Sequence, residues 1–295
     1  DLWSIFDFLM PGYLGSAADF KERYEVPIAR EKDPGAQSRL ARRIRPFLLR
    51  RLKREVAKDL PEKIEQVSFC DLSPEQQAVY QQLLEASRKE ILEAVGDQGI
   101  AKSRMLVLTA LLRLRQVCCD LRLLKVAQAS SLHSPPERKL EARATSGTST
   151  KLDLLDELLE EAIDGEHRVL VFSQFVSMLH LVRERLEKLE IPFCYLDGST
   201  KQRQEVVDRF QSDSVIPVFL ISLKAGGVGL NLSAADTVIH FDPWWNPAVE
   251  AQATDRAHRI GQTRVVTAYK LITRDTVEEK ILRLQEKKRA AIDAA

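Results

Sequence analysis

From Lys151 to the C-terminus, short apolar runs alternate with amphipathic segments, and this alternation restricts the fold more than any other feature. The runs are short and nearly continuous in apolar, often β-branched residues, which is typical of strands covered on both faces. The candidate strands are RVLVF (168–172), FCYL (193–196), PVFLI (217–221), TVIHF (237–241) and VVTAYKL (265–271). Strands that alternate with helical segments at this spacing predict an α/β fold, with a doubly wound, mainly parallel sheet flanked by helices.

The first part of the chain, residues 1–125, is predicted to be a mostly helical subdomain. One long helix is expected to begin after Ser73, the N-cap, with Pro74 at its first position. A second helix over 103–119 is more fully apolar and is therefore expected to be more buried. The alternation within 63–72 predicts a single strand in this part.

A boundary is expected between the helical part and the α/β part. Residues 126–150 are rich in Ser, Thr, Ala and Pro, which indicates a linker or mobile loop. The predicted division is therefore 1–125, 126–150 and 151–295, in a chain that is too long for one small core. The sequence opens without a methionine, and we expect it to be part of a longer protein.

Composition excludes several classes of protein. A formal net charge of +1 argues against bulk attraction to a polyanion, so any nucleic-acid binding must come from local patches. No apolar run reaches the length that crosses a bilayer, and the N-terminus lacks the pattern of a signal peptide. The spacing of the cysteines fits neither a zinc site nor a disulfide framework, and no metal site is expected. The cysteines are Cys70, Cys118, Cys119 and Cys194.

Polar motifs follow four of the predicted strands. Ligands of doubly wound sheets bind beyond the carboxyl ends of the strands, so these positions are candidates for a site. The motifs are VFSQF (171–175), YLDGST (195–200), SLKAGGVGLNL (222–232) and FDPWWNP (241–247). Each has a plain alternative: a helix cap, a tight glycine turn, or a loop that fills the core.

The glycines of SLKAGGVGLNL allow a ligand to approach the backbone closely, and Lys224 adds positive charge. The segment matches neither a dinucleotide fingerprint nor a phosphate-binding P-loop. Gly198, Ser199 and Thr200 offer amides and hydroxyls to a phosphate. The adjacent tryptophans indicate a contact surface for bases, sugars or a facing domain.

The segment QATDRAHRIGQ (252–262) is predicted to lie on a helix that starts at Asn246-Pro247 and reaches about Ile260. On such a helix, Gln252, Arg256 and Arg259 fall within about 60° of arc, because successive residues advance by about 100°. Two arginines in this register form a fork for phosphate or carboxylate. The alternative is a solvated face with an internal ion pair between Asp255 and Arg259.

Taken in order, these segments resemble motifs IV to VI of the second RecA-like lobe of Swi/Snf-type chromatin-remodelling ATPases, members of helicase superfamily two. DRAHRIGQ differs from the Gly-Arg-Gly-Arg spelling of the RNA-unwinding relatives. The segments RPFLLRRLKREVAKDLPEK (45–63) and DTVEEKILRLQEKK (275–288) also resemble parts of that family. The resemblance covers nearly the whole chain outside 126–150. It implies a RecA-like sheet and half of a two-lobe, ATP-driven motor on double-stranded DNA.

The resemblance also assigns roles to particular residues. Arg256 and Arg259 are expected to be arginine fingers that reach the γ-phosphate of ATP, and Gln252 is expected to help position them. The residues expected at the nucleotide are Gly227, Gly229 and Asn231. The residues expected at the DNA backbone are Gln174, Gly198, Ser199, Thr200, Ser222 and Lys224. Trp245 is expected to couple DNA contact to lobe closure while Trp244 packs, and Arg50, Arg51 and Lys53 are expected to brace the lobe junction.

The implied protein is a DNA-dependent ATPase, of which this chain is the C-terminal half and inactive alone. ATP with Mg²⁺ is expected to be held mainly by the first lobe, whose P-loop has no counterpart in this sequence. The expected partners are double-stranded DNA, the N-terminal RecA-like lobe of the same protein and nucleoprotein complexes, without a membrane. The alternative is a self-contained nucleic-acid-binding or regulatory module without catalysis. The lack of long inserts favours a bacterial, nucleoid-associated cytoplasmic protein over a eukaryotic nuclear one.

Overall fold

The computed structural model describes residues 2–49, 57, 59–98, 100–124, 149–225 and 229–293. The chain forms two compact units, Asp1–Lys58 and Asp59–Ala295. Some residues for which the sequence makes predictions lie outside the described ranges. These residues are Gly227, residues 126–148 of the linker, and Arg50, Arg51 and Lys53.

The second unit is built on one sheet of six strands, all parallel. The strands are β1 (Lys63–Cys70), β2 (Val169–Ser173), β3 (Phe193–Leu196), β4 (Val218–Ser222), β5 (Thr237–His240) and β6 (Val266–Thr273). Their order across the sheet is β1-β6-β5-β2-β4-β3. The predicted α/β fold with a RecA-like parallel sheet is therefore confirmed, and each candidate strand is present.

Helices cover both faces of this sheet. In the second unit they are α5 (Pro74–Gln98), α6 (Ile100–Cys119), α7 (Thr150–Asp164), α8 (Val176–Lys188), α9 (Arg203–Ser212), α10 (Pro247–Thr254) and α11 (Val277–Asp293). Alternate residues of a strand point to opposite faces, so Leu170 and Phe172 pack with α9 and α10, while Val169 and Val171 pack with α7 and α8. Two buried cores explain why the central strands read as continuous apolar runs.

A third apolar cluster joins α5, α6 and α11 beside the sheet. The predicted start of α5 is confirmed as a reciprocal cap, because the Gln76 amide donates to Ser73 Oγ at 3.2 Å and the Ser73 amide donates to Gln76 Oε1 at 3.3 Å. Strand β1 precedes these helices in the chain and pairs with β6 at the edge of the sheet. Residues grouped with the N-terminal helical part thus contribute a strand to the α/β sheet, and the division at 125 and 150 stays a prediction.

The first unit is helical, with α1 (Leu2–Leu9), α2 (Ala17–Phe20), a π-helical turn (Lys21–Glu25), α3 (Val26–Ala29), α4 (Pro34–Ile44) and a 3₁₀ turn (Arg45–Phe47). Its core is small and aromatic. The ring centroid of Phe6 lies 6.2 Å from that of Tyr13, and the Trp3 indole donates to the Gly15 carbonyl at 3.0 Å. Among the described residues of both units, no helix has the length and apolar character needed to cross a membrane.

Candidate functional site

The predicted motif residues lie where the strands end. Gln174 follows β2, Gly198 to Thr200 follow β3, and Ser222 is the last residue of β4. Because the strands are all parallel, these loops meet at one edge of the sheet, as expected. Within the described part of the chain, the buried Nε2 of Gln174 has no hydrogen-bond partner, so its hydrogen-bonding capacity is unsatisfied.

The turn after β3 is organised by Asp197, whose carboxylate is buried. Asp197 Oδ1 accepts hydrogen bonds from the amide of Ser199 at 2.8 Å and from its hydroxyl at 2.6 Å. These bonds, with that from Tyr195, lower the pKa of Asp197 against the effect of burial. The Ser199 hydroxyl is thus already donating within the turn, whereas Gly198 is exposed and open to a phosphate.

The segment after β4 presents its charge outward. Lys224 is exposed, whereas Ser222 is buried and its hydroxyl accepts from the Ala225 amide at 3.3 Å. Ser222 therefore shapes the turn that displays Lys224. Gly229 and Asn231 are exposed, and a Cβ built at Gly229 would meet no atom within 4 Å. The space around Gly229 is open to a ligand.

The tryptophan loop, residues 241–246, is held by a buried ion pair. Arg115 of α6 and Asp242 have side chains only 2% and 0% exposed, and Arg115 Nη2 lies 3.3 Å from Asp242 Oδ2. Arg115 also donates to the carbonyl of Pro243, and Asp242 accepts from the Ser173 hydroxyl. Burial raises the pKa of Asp242 to about 6, although Arg115 opposes this effect.

Both tryptophans of this loop are partly buried. The rings of Trp244 and Trp245 each lie 5.7 Å from the Arg115 guanidinium carbon. Trp244 packs on the core between the sheet and α9 and α10, and Trp245 packs on the cluster of α5, α6 and α11. The expected packing of Trp244 is observed, and Trp245 has a packing contact in addition to its predicted role at DNA.

Glu250 holds the same loop from the other side. Its Oε1 accepts from the Trp244 amide at 2.6 Å and from Gln285 Nε2 at 2.8 Å, and its Oε2 lies 2.7 Å from Lys270 Nζ. Burial would raise the pKa of Glu250, but His240 and Lys270 lower it, so the buried carboxylate remains charged. Helix α11, strand β6 and helix α10 are thereby joined to the loop.

The predicted helix to Ile260 is wrong in its length. Helix α10 starts as expected, with Asn246 Oδ1 accepting from the Ala248 amide at 3.1 Å, but it ends at Thr254. The carbonyl of Arg256 is taken by the Leu232 amide at 3.0 Å, and a helix would need that carbonyl for residue 260. Residues 255–261 are instead turns, which we call the arginine turn. The predicted common helical face for Gln252 and the arginines therefore does not form.

The arginine turn still carries both cations. Burial lowers the pKa of Arg256, and the positive charge of the nearby Arg259 lowers it further. Arg259 is exposed, and its Nη1 lies 3.4 Å from the carbonyl of Leu230, next to Gly229 and Asn231. Two adjacent cations beside an exposed glycine segment form a site suited to an anion such as phosphate. Gln252 is exposed on α10.

Three buried polar residues of this region were not predicted from sequence: Arg115, Glu250 and Gln262. Arg115 had a signal, since it is a cation within a helix that reads as largely buried. Glu250 and Gln262 had none, because the side chains and backbone groups that they bind are distant in the sequence or set by turn geometry.

Comparison with known proteins places this geometry in a family. The family model of the SNF2-related domain matches residues 1–123, and that of the helicase conserved C-terminal domain matches residues 150–261. YwqA of Bacillus subtilis (strain 168), provisionally named an ATP-dependent helicase/translocase, is 43% identical over 99% of this chain. The chain spans only 30% of the length of that relative.

Solved structures of the same family are also similar to this chain. The Sulfolobus solfataricus SWI2/SNF2 ATPase core in complex with double-stranded DNA is 38% identical, with a TM-score of 0.60, over 99% of this chain and 58% of that one. The C-terminal domain of the Sulfolobus solfataricus SWI2/SNF2 ATPase is 33% identical, with a TM-score of 0.57, over 77% of this chain and 87% of that one. The chain therefore belongs to the Swi/Snf family of helicase superfamily two, whose C-terminal region it matches.

Proposed function

We propose that this chain is the C-terminal half of an ATP-driven translocase on double-stranded DNA, in which Arg256 and Arg259 act as arginine fingers. The observation that carries the proposal is the exposed Arg259, whose Nη1 lies 3.4 Å from the carbonyl between the exposed Gly229 and Asn231, with Arg256 three residues earlier in the same turn. Phosphoryl transfer requires positioning and charge stabilisation, which such a pair can supply to the γ-phosphate.

The phosphate cradle is proposed to come from the other lobe of the motor. No P-loop sequence occurs in these 295 residues. Among the described residues there is also no group of three His, Cys, Asp or Glu side chains that could hold a metal ion. Ligation of Mg²⁺, like the phosphate cradle, is proposed for the first lobe. Division of the site in this way makes hydrolysis depend on lobe closure.

DNA contact is proposed for the loops at the carboxyl ends of β2, β3 and β4. Three features support it: the unpartnered amide of Gln174, the open backbone at Gly198 and the exposed charge of Lys224. These groups suit phosphate oxygens, so binding should depend on salt and little on base sequence. The DNA-bound Sulfolobus relative supports double-stranded DNA as the ligand class.

The test is Arg259→Ala in the motor assembled from this chain and its P-loop lobe. Loss of the finger should lower kcat by roughly 10³- to 10⁵-fold, which corresponds to about 4 to 7 kcal/mol, while DNA affinity stays within about threefold. The matched control is Arg283→Ala, because Arg283 is 74% exposed and pairs with Glu279 on α11. A turnover within a few-fold of wild type would exclude the finger role. Hydrolysis of ATP by this chain alone, stimulated by DNA, would exclude the divided site.

A further inference from the structure

Gln262 closes the arginine turn with a side chain that is almost fully buried, with the residue 7% exposed. Its Nε2 lies 3.1 Å from the carbonyl oxygen of Ser233, 2.7 Å from that of Ala235 and 3.2 Å from that of Ala257. Its Oε1 accepts from the amides of the next two residues, both at 2.9 Å. One side chain thus serves five backbone groups, and each such group costs about 1 to 3 kcal/mol if it is buried without a partner.

These bonds join two segments that carry candidate site residues. Ser233 and Ala235 belong to the glycine loop (residues 229–235), which contains Gly229 and Asn231, whereas Ala257 lies in the arginine turn. The bonds from Gln262 reinforce the backbone bond between Leu232 and Arg256. Gly261 has φ +102°, a value that L side chains rarely adopt, and this conformation returns the chain so that Gln262 faces the glycine loop.

The arginine turn needs such support because it is not a helix. The carbonyl of Ala257 accepts from the Arg259 amide at 3.0 Å and from Gln262 Nε2 at 3.2 Å, where a longer α10 would have offered the amide of residue 261. Arg256 and Arg259 carry like charges three residues apart in the same turn, so their repulsion favours separation of the two guanidinium groups. A fixed backbone opposes that separation.

We propose that Gln262 is the positioning residue for the arginine pair, in that it holds the arginine turn against the glycine loop so that Arg256 and Arg259 meet the same phosphate. This inference rests on the proposed function. Gln262 itself is buried, so it acts through the backbone that carries the arginines.

The test compares Gln262→Met with Gln262→Asn in the motor assembled with its P-loop lobe. Gln262→Met keeps the side-chain length and loses the hydrogen bonds from the side chain, so kcat should fall by roughly 30- to 300-fold. The KM for ATP and the affinity for DNA should stay within about threefold, because the groups that bind both remain exposed and intact. Gln262→Asn retains an amide with shorter reach and should lose less.

The matched control is Gln211→Met. Gln211 binds the same glycine loop, since its Oε1 accepts from the Ala234 amide at 2.9 Å and its Nε2 lies 3.5 Å from Ser233 Oγ, and neither of these bonds involves the arginine turn. Its substitution should leave kcat within about twofold. Equal losses in Gln211→Met and Gln262→Met would mean that loop stability alone matters, and this would overturn the positioning role.

A double variant separates positioning from general damage. If Gln262 acts through the arginines, Gln262→Met should lower kcat at least fivefold less in an Arg259→Ala background than in wild type. Equal losses in both backgrounds, or an unchanged kcat in a folded Gln262→Met protein, would refute the inference while the finger role stands. An unchanged kcat in Arg259→Ala alone would instead refute the proposed function. Circular dichroism and DNA affinity establish that each variant is folded.

Discussion

A buried ion pair near the start of α7 offers a quantitative test of how the second unit is stabilised. Lys151 and Glu278 have side chains with 0% exposure, and Nζ lies 2.5 Å from Oε2. Glu278 Oε2 also accepts from the Thr273 amide at 2.9 Å, and Lys151 Nζ lies 5.8 Å from the Phe241 ring centroid. Although burial would lower it, Glu278 raises the pKa of Lys151, so the lysine stays charged.

The expected energy follows from two opposed terms. At 2.5 Å and an effective dielectric constant of about 20, the attraction between the charges is about 7 kcal/mol. Desolvation costs several kcal/mol for each ion, so the intact pair contributes little net stability. Lys151→Met leaves the fully buried Glu278 carboxyl without its counter-charge, and should lower the free energy of unfolding by about 3 to 5 kcal/mol.

The double variant Lys151→Met, Glu278→Gln removes both charges and keeps an oxygen for the Thr273 amide. It should cost only about 1 to 2 kcal/mol, less than Lys151→Met alone. The measurement is equilibrium unfolding in urea at pH 7, followed by far-ultraviolet circular dichroism. A cost of Lys151→Met below about 1 kcal/mol, or a double variant as unstable as the sum of its single variants, would refute the reasoning.

Two further predictions concern the site loops. Burial raises the pKa of Asp242 from 3.8 to about 6, so the carboxyl binds a proton more tightly in the folded protein than in the unfolded chain. Proton binding therefore stabilises the folded protein below pH 4, and this stabilisation is lost as the pH rises through 6. The unfolding free energy of wild type relative to Asp242→Asn should therefore fall, by an amount on the order of 2 to 3 kcal/mol, between pH 4 and 6.5; a constant difference would contradict the raised pKa. In DNA titrations of the assembled motor, Lys224→Ala should reduce the slope of log affinity against log salt by about 1 and weaken two unrelated duplexes equally. An unchanged slope would remove Lys224 from the DNA contacts.

The sheet could be predicted because each strand can be recognised from the pattern of its own residues. Residues such as Val169 to Phe172 are apolar on both faces, since a core lies on each side of the sheet. Strand β1 was also located from its alternation, and its pattern of partial exposure fits an edge position. Its pairing with β6 was not predictable, because the partners Lys63 and Val266 are far apart in the sequence and nothing local specifies their register.

The site could be predicted only in part, for a different physical reason. The positions of Gln174 and Lys224 follow from the rule that ligands meet the carboxyl ends of parallel strands. The end of α10 does not follow from periodicity, because a distant partner, the Leu232 amide, and a local one, the Gln262 side chain, bind carbonyls that would have continued the helix. Helical spacing therefore predicted that Arg256 and Arg259 lie together, but it predicted a helix where the backbone of residues 255–261 forms turns.

The buried residues that were not predicted from the sequence all stabilise loops. Arg115 binds the carbonyl of Pro243, Glu250 binds the amide of Trp244, and Gln262 binds carbonyls of the glycine loop. Each of these side chains binds a backbone group of a loop. The hydrogen bonds that fix the loop therefore do not use the exposed side chains of that loop. Ser199 is the contrast, because its hydroxyl is bound to Asp197 within its own turn. We therefore expect Arg259, whose turn is fixed by Gln262, to contact a ligand through its side chain, and the turn of Ser199 to contact a ligand through its backbone.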